Sequence, residues 1–240
     1  MSRFMRLQKF LACAGIASRR KCEEAIQQGR VEVSRETVTS AGVKVDPERD
    51  EIRCDGEVVR PEKKIYIILD KPKGFVCSRN AQGGRSVFEL VKTFSQRLFT
   101  VGRLDSDSEG LIILTNDGEF AAKCSHPKFG LAKTYRVIAS GSIPYEKESS
   151  LSRGAFTREG RITLPGIEVV GRRQGQTELE ITLREGKNRH IRRVLAAHGL
   201  KTKRLIRIAI GNLRGEGLMK GRWRRLSPSE IAALEKEMAK

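Results

Sequence analysis

Apolar positions in the first part of the chain recur at helical spacing and then at alternating spacing. Phe10, Leu11 and Ala14 share one face of a helix predicted over residues 6–14, which Gly15 ends. Ser18 can cap a second helix over 19–28 that stops at Gly29, with Cys22, Ala25 and Ile26 as its buried stripe. Short alternating stretches then predict strands at 30–34, 42–45 and 51–60. The last is folded at Asp55-Gly56, a dipeptide suited to a type I′ hairpin turn. Pro61 to Lys64 is polar and reads as a linker.

Beyond it the pattern changes. A buried strand is predicted at 65–69, running into a turn at 70–74, then a loop at 81–85 and a helix at 86–93. Strands at 99–104 and 111–114 flank an acidic run, and another strand covers 134–139. A helix is expected around 144–153, a β-rich region over 158–183, and a helix over 188–198 ended by Gly199. Ile206, Ile208 and Ile210 share one face of a strand at 205–210, and Ser227-Pro228 opens a final helix. The expected class is α+β, with a small domain at 1–60, a linker at 61–64 and a larger domain at 65–240.

Composition narrows the partner. The chain of 240 residues has a formal net charge of +18, and residues 181–240 hold 16 Lys and Arg against 5 Asp and Glu. A polyanion is the natural counterpart of such a surface. No run approaches the ~18 apolar residues of a membrane span. The basic, partly apolar N-terminus loosely resembles a signal peptide, but Gly15 breaks its apolar run and Arg19-Arg20-Lys21 follow at once. Five cysteines (13, 22, 54, 77 and 124) without a CxxC pair suit free thiols and a cytoplasmic setting. Cys124 and His126 lack a second ligand pair at zinc-site spacing.

The acidic run, VGRLDSDSEGLIILTNDGEF, poses the chemical question. Asp105, Asp107, Glu109 and Gly110 fit the first half of a calcium loop, but the position of its bidentate Glu is Asn116, and apolar β-type runs flank it. A polar turn between strands is the plain alternative. Arg103 lies two residues before Asp105, on the same side of an extended chain, so the carboxylate needs no metal to balance its charge.

At this point two resemblances emerge. RLQKFLACAGIASRRKCEEAIQQGRVEV resembles an S4-like RNA-binding domain, although Ser34-Arg35-Glu36 stands where members of that family often carry Asn-Gly. GRLDSDSEGLIILTNDGE is similar to the GRLD…GLLLLTNDG signature of the RsuA/RluB/RluE/RluF family of ribosomal RNA pseudouridine synthases. Lys133-Thr134-Tyr135-Arg136-Val137 resembles that family's KTY-x-V element, and Glu185-Gly186-Lys187-Asn188-Arg189-His190-Ile191-Arg192-Arg193 its basic motif. Lys71-Pro72-Lys73-Gly74 looks like its KP-x-G turn.

The resemblance implies a catalytic domain on a mixed, mostly antiparallel sheet flanked by helices, acting on a uridine of ribosomal RNA without cofactor or metal. It further implies a cytoplasmic monomer working on ribosomal RNA or an assembling ribosomal particle, with large-subunit RNA as the expected target and small-subunit RNA as the alternative. Composition alone would equally suit a non-catalytic S4-type RNA-binding protein of the ribosome. By it Asp105 is the catalytic carboxylate, Tyr135 packs against the base, and Arg192 forms an ion pair with Asp105. Asp107 and Glu109 would be loop residues without a chemical step. Arg103, Lys187, Arg189, Arg193, Lys71 and Lys73 would contact RNA, as would Arg6, Lys9, Arg19, Arg20 and Lys21 of the first domain.

Overall fold

The computed structural model describes residues 4–141, 143–144, 148–157, 160–173 and 175–239. The chain divides into two compact units: one runs to Lys64 and includes Ser95–Arg97 and Asn116–Gly118, and the other holds the rest.

The first unit contains β1 (Met5–Arg6), α1 (Leu7–Cys13), α2 (Arg19–Gln27), β2 (Val31–Val33), β3 (Glu36–Thr37), β4 (Lys44–Val45), β5 (Ile52–Cys54) and β6 (Glu57–Val58). The Ser18 hydroxyl accepts the Lys21 amide at 3.3 Å and caps α2 as the sequence predicts. Leu7, Phe10 and Leu11 of α1 and Cys22 and Ile26 of α2 pack on Val31, Val45 and Ile52. The sheet runs β3-β2-β5-β6, antiparallel throughout. Asp55 and Gly56 both adopt positive φ, which makes the expected type I′ turn. Ser34 (φ 51°) and Arg35 (φ 73°) do the same, so the turn forms without Asn-Gly and adds β3. Two side-chain-bearing residues sit there in the left-handed region.

The second unit contains β7 (Tyr66–Lys71), β8 (Phe75–Val76), β9 (Arg85–Ser86), β10 (Phe99–Thr100), β11 (Glu109–Thr115), α3 (Gly118–Ser125), β12 (Lys133–Ser140), α4 (Glu148–Arg153), β13 (Ala155–Thr157), β14 (Gly160–Ile162), β15 (Gly166–Arg173), β16 (Gln176–Leu183), α5 (His190–Ala197), β17 (Lys201–Ile210), β18 (Leu213–Arg214), β19 (Trp223–Arg225) and α6 (Pro228–Met238). Its main sheet runs β15-β16-β12-β17-β11-β7-β19, with β10 on β11 and β18 on β17. Among the described residues only β11 and β17 pair in parallel in this sheet; the other pairs are antiparallel. Every residue of β11 is buried, as its unbroken apolar run Leu111–Leu114 requires of a strand covered on both faces. Leu111 and Ile113 pack with Phe120, Cys124, Leu234 and Met238, whereas Ile112 and Leu114 pack with Val87, Val91, Leu98 and Leu104. A third core holds Ile191, Val194 and Leu195 of α5 against Val137, Leu179 and Ile181.

Several boundaries differ from the pattern. The helix expected at 86–93 is a 3-10 turn, Val87–Val91, closed by a Ser86/Glu89 capping box. The strand expected at 99–104 stops at Thr100, because Gly102 turns the chain at φ +71°. The helix expected at 188–198 begins at His190, since Arg189 takes a left-handed conformation at its N-cap. Residues 145–147 of the helix expected at 144–153, and 158–159 and 174 of the β-rich region, lie outside the described residues. Among the described residues no helix is long and apolar enough to cross a membrane.

Candidate active site

The acidic run bridges β10 and β11, and the segment after β7 braces it from one side. The Cys77 thiol lies 3.4 Å from both the amide and the carbonyl of Leu104. The Gly74 amide donates to the Ser106 carbonyl at 2.7 Å, and the Ser108 amide closes a turn on the Asp105 carbonyl at 3.1 Å. Gly110 (φ +101°) then lies against β17 so closely that a Cβ would overlap the Arg207 backbone. The run therefore enters the sheet at a point where only glycine fits.

The three acids that alternate in sequence diverge in space. Asp105 lies 3.6 Å from Arg189 Nη1. Asp107 holds two guanidinium groups: Arg189 Nη2 at 3.3 Å and Arg192 Nη2 at 3.2 Å from Oδ2. The Asp107 carbonyl accepts a further bond from Arg192 Nη2 at 3.2 Å. Glu109 turns away from both and is the first residue of β11, where Arg204 Nε binds it at 2.8 Å and Lys220 Nζ binds its second oxygen. The hydrogen bond from Arg204, helped by Lys220, holds the Glu109 carboxyl down at about 2. Such divergence does not suit a calcium loop, whose acids must converge on one ion. Among the described residues no His, Cys, Asp and Glu side chains gather into a group able to hold a metal.

A pocket of about 400 Å³ opens beside Asp105, within the ordinary range for small-molecule and nucleotide sites. Arg103, Tyr135, Lys187 and Arg189 line it with Asp105, and Leu183, Ile191 and Leu205 supply an apolar floor. Tyr135 stands on β12 opposite Arg207 of β17, partly buried between two cores, so its ring position is fixed by packing. The pocket thus presents one carboxylate, one aromatic face and a rim of cations. A planar base can enter beside the carboxylate, and cations remain for its phosphates.

The structure alters several sequence expectations. Arg192 pairs with Asp107 instead of Asp105, and the cation at Asp105 is Arg189. The reason is the N-cap: Arg189 is in the turn before α5 instead of on a helical face with Arg193, so it points across to the acidic run. Arg192 is only 12% exposed, packed behind the run. Arg193 donates to the Asn188 carbonyl at 3.3 Å. Lys71 is not an RNA contact: it is fully buried, and its ammonium donates to the Pro72 and Phe75 carbonyls at 3.0 and 2.7 Å. Burial lowers its pKa, while the nearby carboxylates of Asp107, Glu109 and Asp105 act against that.

Lys73 is exposed on the following turn. Lys187 is partly exposed and pairs with Glu185 at 3.6 Å. His190 is buried with Nε2 on the Thr163 carbonyl at 2.8 Å, so it is a strut for α5 and not a ligand for RNA. In the first unit Arg6, Arg19, Arg20 and Lys21 are exposed and Lys9 is half-buried. Asp107 and Glu109, which sequence reasoning set aside, are the residues that fix the run. The signal was present in the alternating acids, but which cation each would meet depends on α5 and β17.

Comparison with known proteins places these features. Residues 65–197 match the family model described as RNA pseudouridylate synthase, and residues 5–52 match the S4 domain. The chain is 43% identical to an uncharacterized RNA pseudouridine synthase of Aquifex aeolicus, over 97% of this chain and 94% of that one. It is 39% identical to ribosomal large subunit pseudouridine synthase B of Bacillus subtilis, over 95% of both chains. A solved pseudouridylate synthase structure aligns with a TM-score of 0.66 at 30% identity, covering 96% of this chain and 99% of that one.

Proposed function

The chain belongs to the RNA pseudouridylate synthase family and carries an S4 domain, and from that premise we propose that it isomerises a uridine of large-subunit ribosomal RNA, with Asp105 as the catalytic carboxylate. The Bacillus subtilis relative, named for that subunit and alike over 95% of both chains, supports the choice of target. The observation that carries the residue assignment is the pocket itself, in which Asp105, Tyr135 and Arg189 line one cavity of base size. In the reaction the N1–C1′ bond breaks, the base turns while held, and C5 joins C1′. The C5 proton is lost and N1 gains one, so nothing is oxidised or released.

One carboxylate must work at the junction of ribose and base. Asp105 is about one-third exposed before substrate enters. An extruded uracil would exclude solvent there, and the charges left in the site would then act through a lower dielectric. Tyr135 offers the base a ring in place of its lost neighbours. Arg189 keeps a positive charge beside Asp105, and Arg192 acts one step removed, through Asp107. Arg103 and Lys187, on the rim, are placed for the flanking phosphates.

The test is to incubate the protein with unmodified ribosomal RNA and map pseudouridine by carbodiimide primer extension. The wild type is expected to place a stop in large-subunit RNA that Asp105→Asn does not place. Equal stops from both proteins would remove Asp105 from the chemistry, and a stop confined to small-subunit RNA would move the target.

A further inference from the structure

Outside the pocket, the hairpin β13–β14 carries a side chain that the reaction leaves unused. Phe156 is 82% exposed, the most open of the large apolar side chains among the described residues. Isolated surface apolar residues are ordinary. This one differs in what surrounds it. Phe156 pairs across the hairpin with Arg161, whose guanidinium carbon lies 5.6 Å from the ring centroid. Arg161 is itself tethered, donating from Nε to the Arg153 carbonyl at 3.2 Å. Arg153 and Arg161 are both exposed. A cation–π pair at an exposed site contributes only about 0.5–1 kcal/mol, too little to account for a phenyl ring held in water.

The hairpin is a built element. Gly154 enters β13 at φ +76°, pressed so closely on Ile162 that any Cβ would coincide with its carbonyl. Ile162 and Leu164 are buried in the same core as Ile191 and Leu195 of α5. The Thr163 carbonyl holds His190, the first residue of α5, and Arg189 immediately before it reaches Asp105. The exposed ring is thereby tied through two short links to the turn that lines the pocket.

We propose that Phe156 and Arg161 form a stacking platform for an unpaired base of the substrate RNA next to the modified nucleotide, with Arg161 also serving its phosphate. The proposal rests on the RNA reading given above. Taking one nucleotide out of a stack strips its neighbours of a partner. An aromatic face with an adjacent guanidinium is the side-chain pair that recovers stacking without reading sequence.

The probe is a ribosomal RNA fragment that the wild-type protein modifies. Phe156→Ala is expected to weaken its Kd roughly tenfold, the loss of one stacked base. Phe156→Leu should be as weak, because it keeps apolar area without a π face, and Phe156→Tyr should retain wild-type affinity. Phe156→Trp adds a fluorophore that RNA should quench beyond any change of Trp223 in the wild type. The platform is overturned if Phe156→Ala binds within twofold of wild type. It is equally overturned if Phe156→Leu binds like wild type, which would mark a merely apolar contact without stacking, or if the Phe156→Trp signal is indifferent to RNA. A wild-type protein that modifies no RNA would instead refute the function on which the platform depends.

Discussion

Replacing Glu109 by glutamine isolates what the buried end of the acidic run contributes. The substitution keeps size and shape, removes the charge, and turns one of the two accepting oxygens into an NH2 group that faces a cation. In the native protein the carboxyl sits at about 2 against an ordinary 4.5. At ~1.36 kcal/mol per pKa unit, that corresponds to about 3.4 kcal/mol favouring the charged form. Arg204 and Lys220 are 45% and 49% exposed, so water competes for them and the net figure is discounted. About half, or roughly 1.5–2 kcal/mol, is the expected loss at neutral pH.

The sign with pH follows from a depressed carboxyl. Its stabilisation is complete above about 4.5 and declines as pH falls from there towards 2. Urea unfolding of wild type and Glu109→Gln should therefore show a gap at pH 7 that shrinks to less than half by about pH 3. Because Glu109 opens β11 directly after the acidic run, single-turnover pseudouridine formation should slow as well. Equal stability at pH 7, or a gap of the same size at both pH values, would refute the argument.

Three further outcomes follow from particular residues. Asp107→Asn removes the charge that Arg189 and Arg192 share, leaving Arg189 with Asp105 and Arg192 with the backbone carbonyl at 107, and should lower the single-turnover rate about 10- to 100-fold, the worth of a charged hydrogen bond, while Asp105→Asn abolishes it; an unchanged rate would remove Asp107 from the positioning of the site. Gly110→Ala forces a Cβ into the Arg207 backbone at positive φ and should cost about 3 kcal/mol in urea unfolding, with loss of activity. Arg35→Gly relieves a left-handed residue in the β2–β3 turn and should raise stability by roughly 0.5–1 kcal/mol, read as an upward shift in Tm; no gain would mean the turn is not strained.

The sequence by itself determined the elements whose signals are local. The Ser18 cap, the Asp55-Gly56 turn, the stripe Ile191, Val194 and Leu195, and the Ser227-Pro228 helix start each depend on neighbours within a few positions, and all form as read. It also singled out Asp105 and Tyr135, because their motifs are contiguous in the chain. Short strands such as β8, β9 and β19 carry too few residues to show a period, so only pairing reveals them.

Tertiary structure decided the partners. Three acids two residues apart look equivalent in sequence, yet one faces a pocket, one joins two arginines and one is buried in the sheet. Lys71 reads as a surface cation and is buried, because β7 continues through it into the core of the sheet. Arg189 takes the place at Asp105 expected of Arg192, because a left-handed N-cap swings it across the site, while Arg192 stays behind the run on Asp107. Charge in a sequence says which ions are available. Which of them meet depends on backbone direction at the ends of distant elements, and no local pattern encodes that.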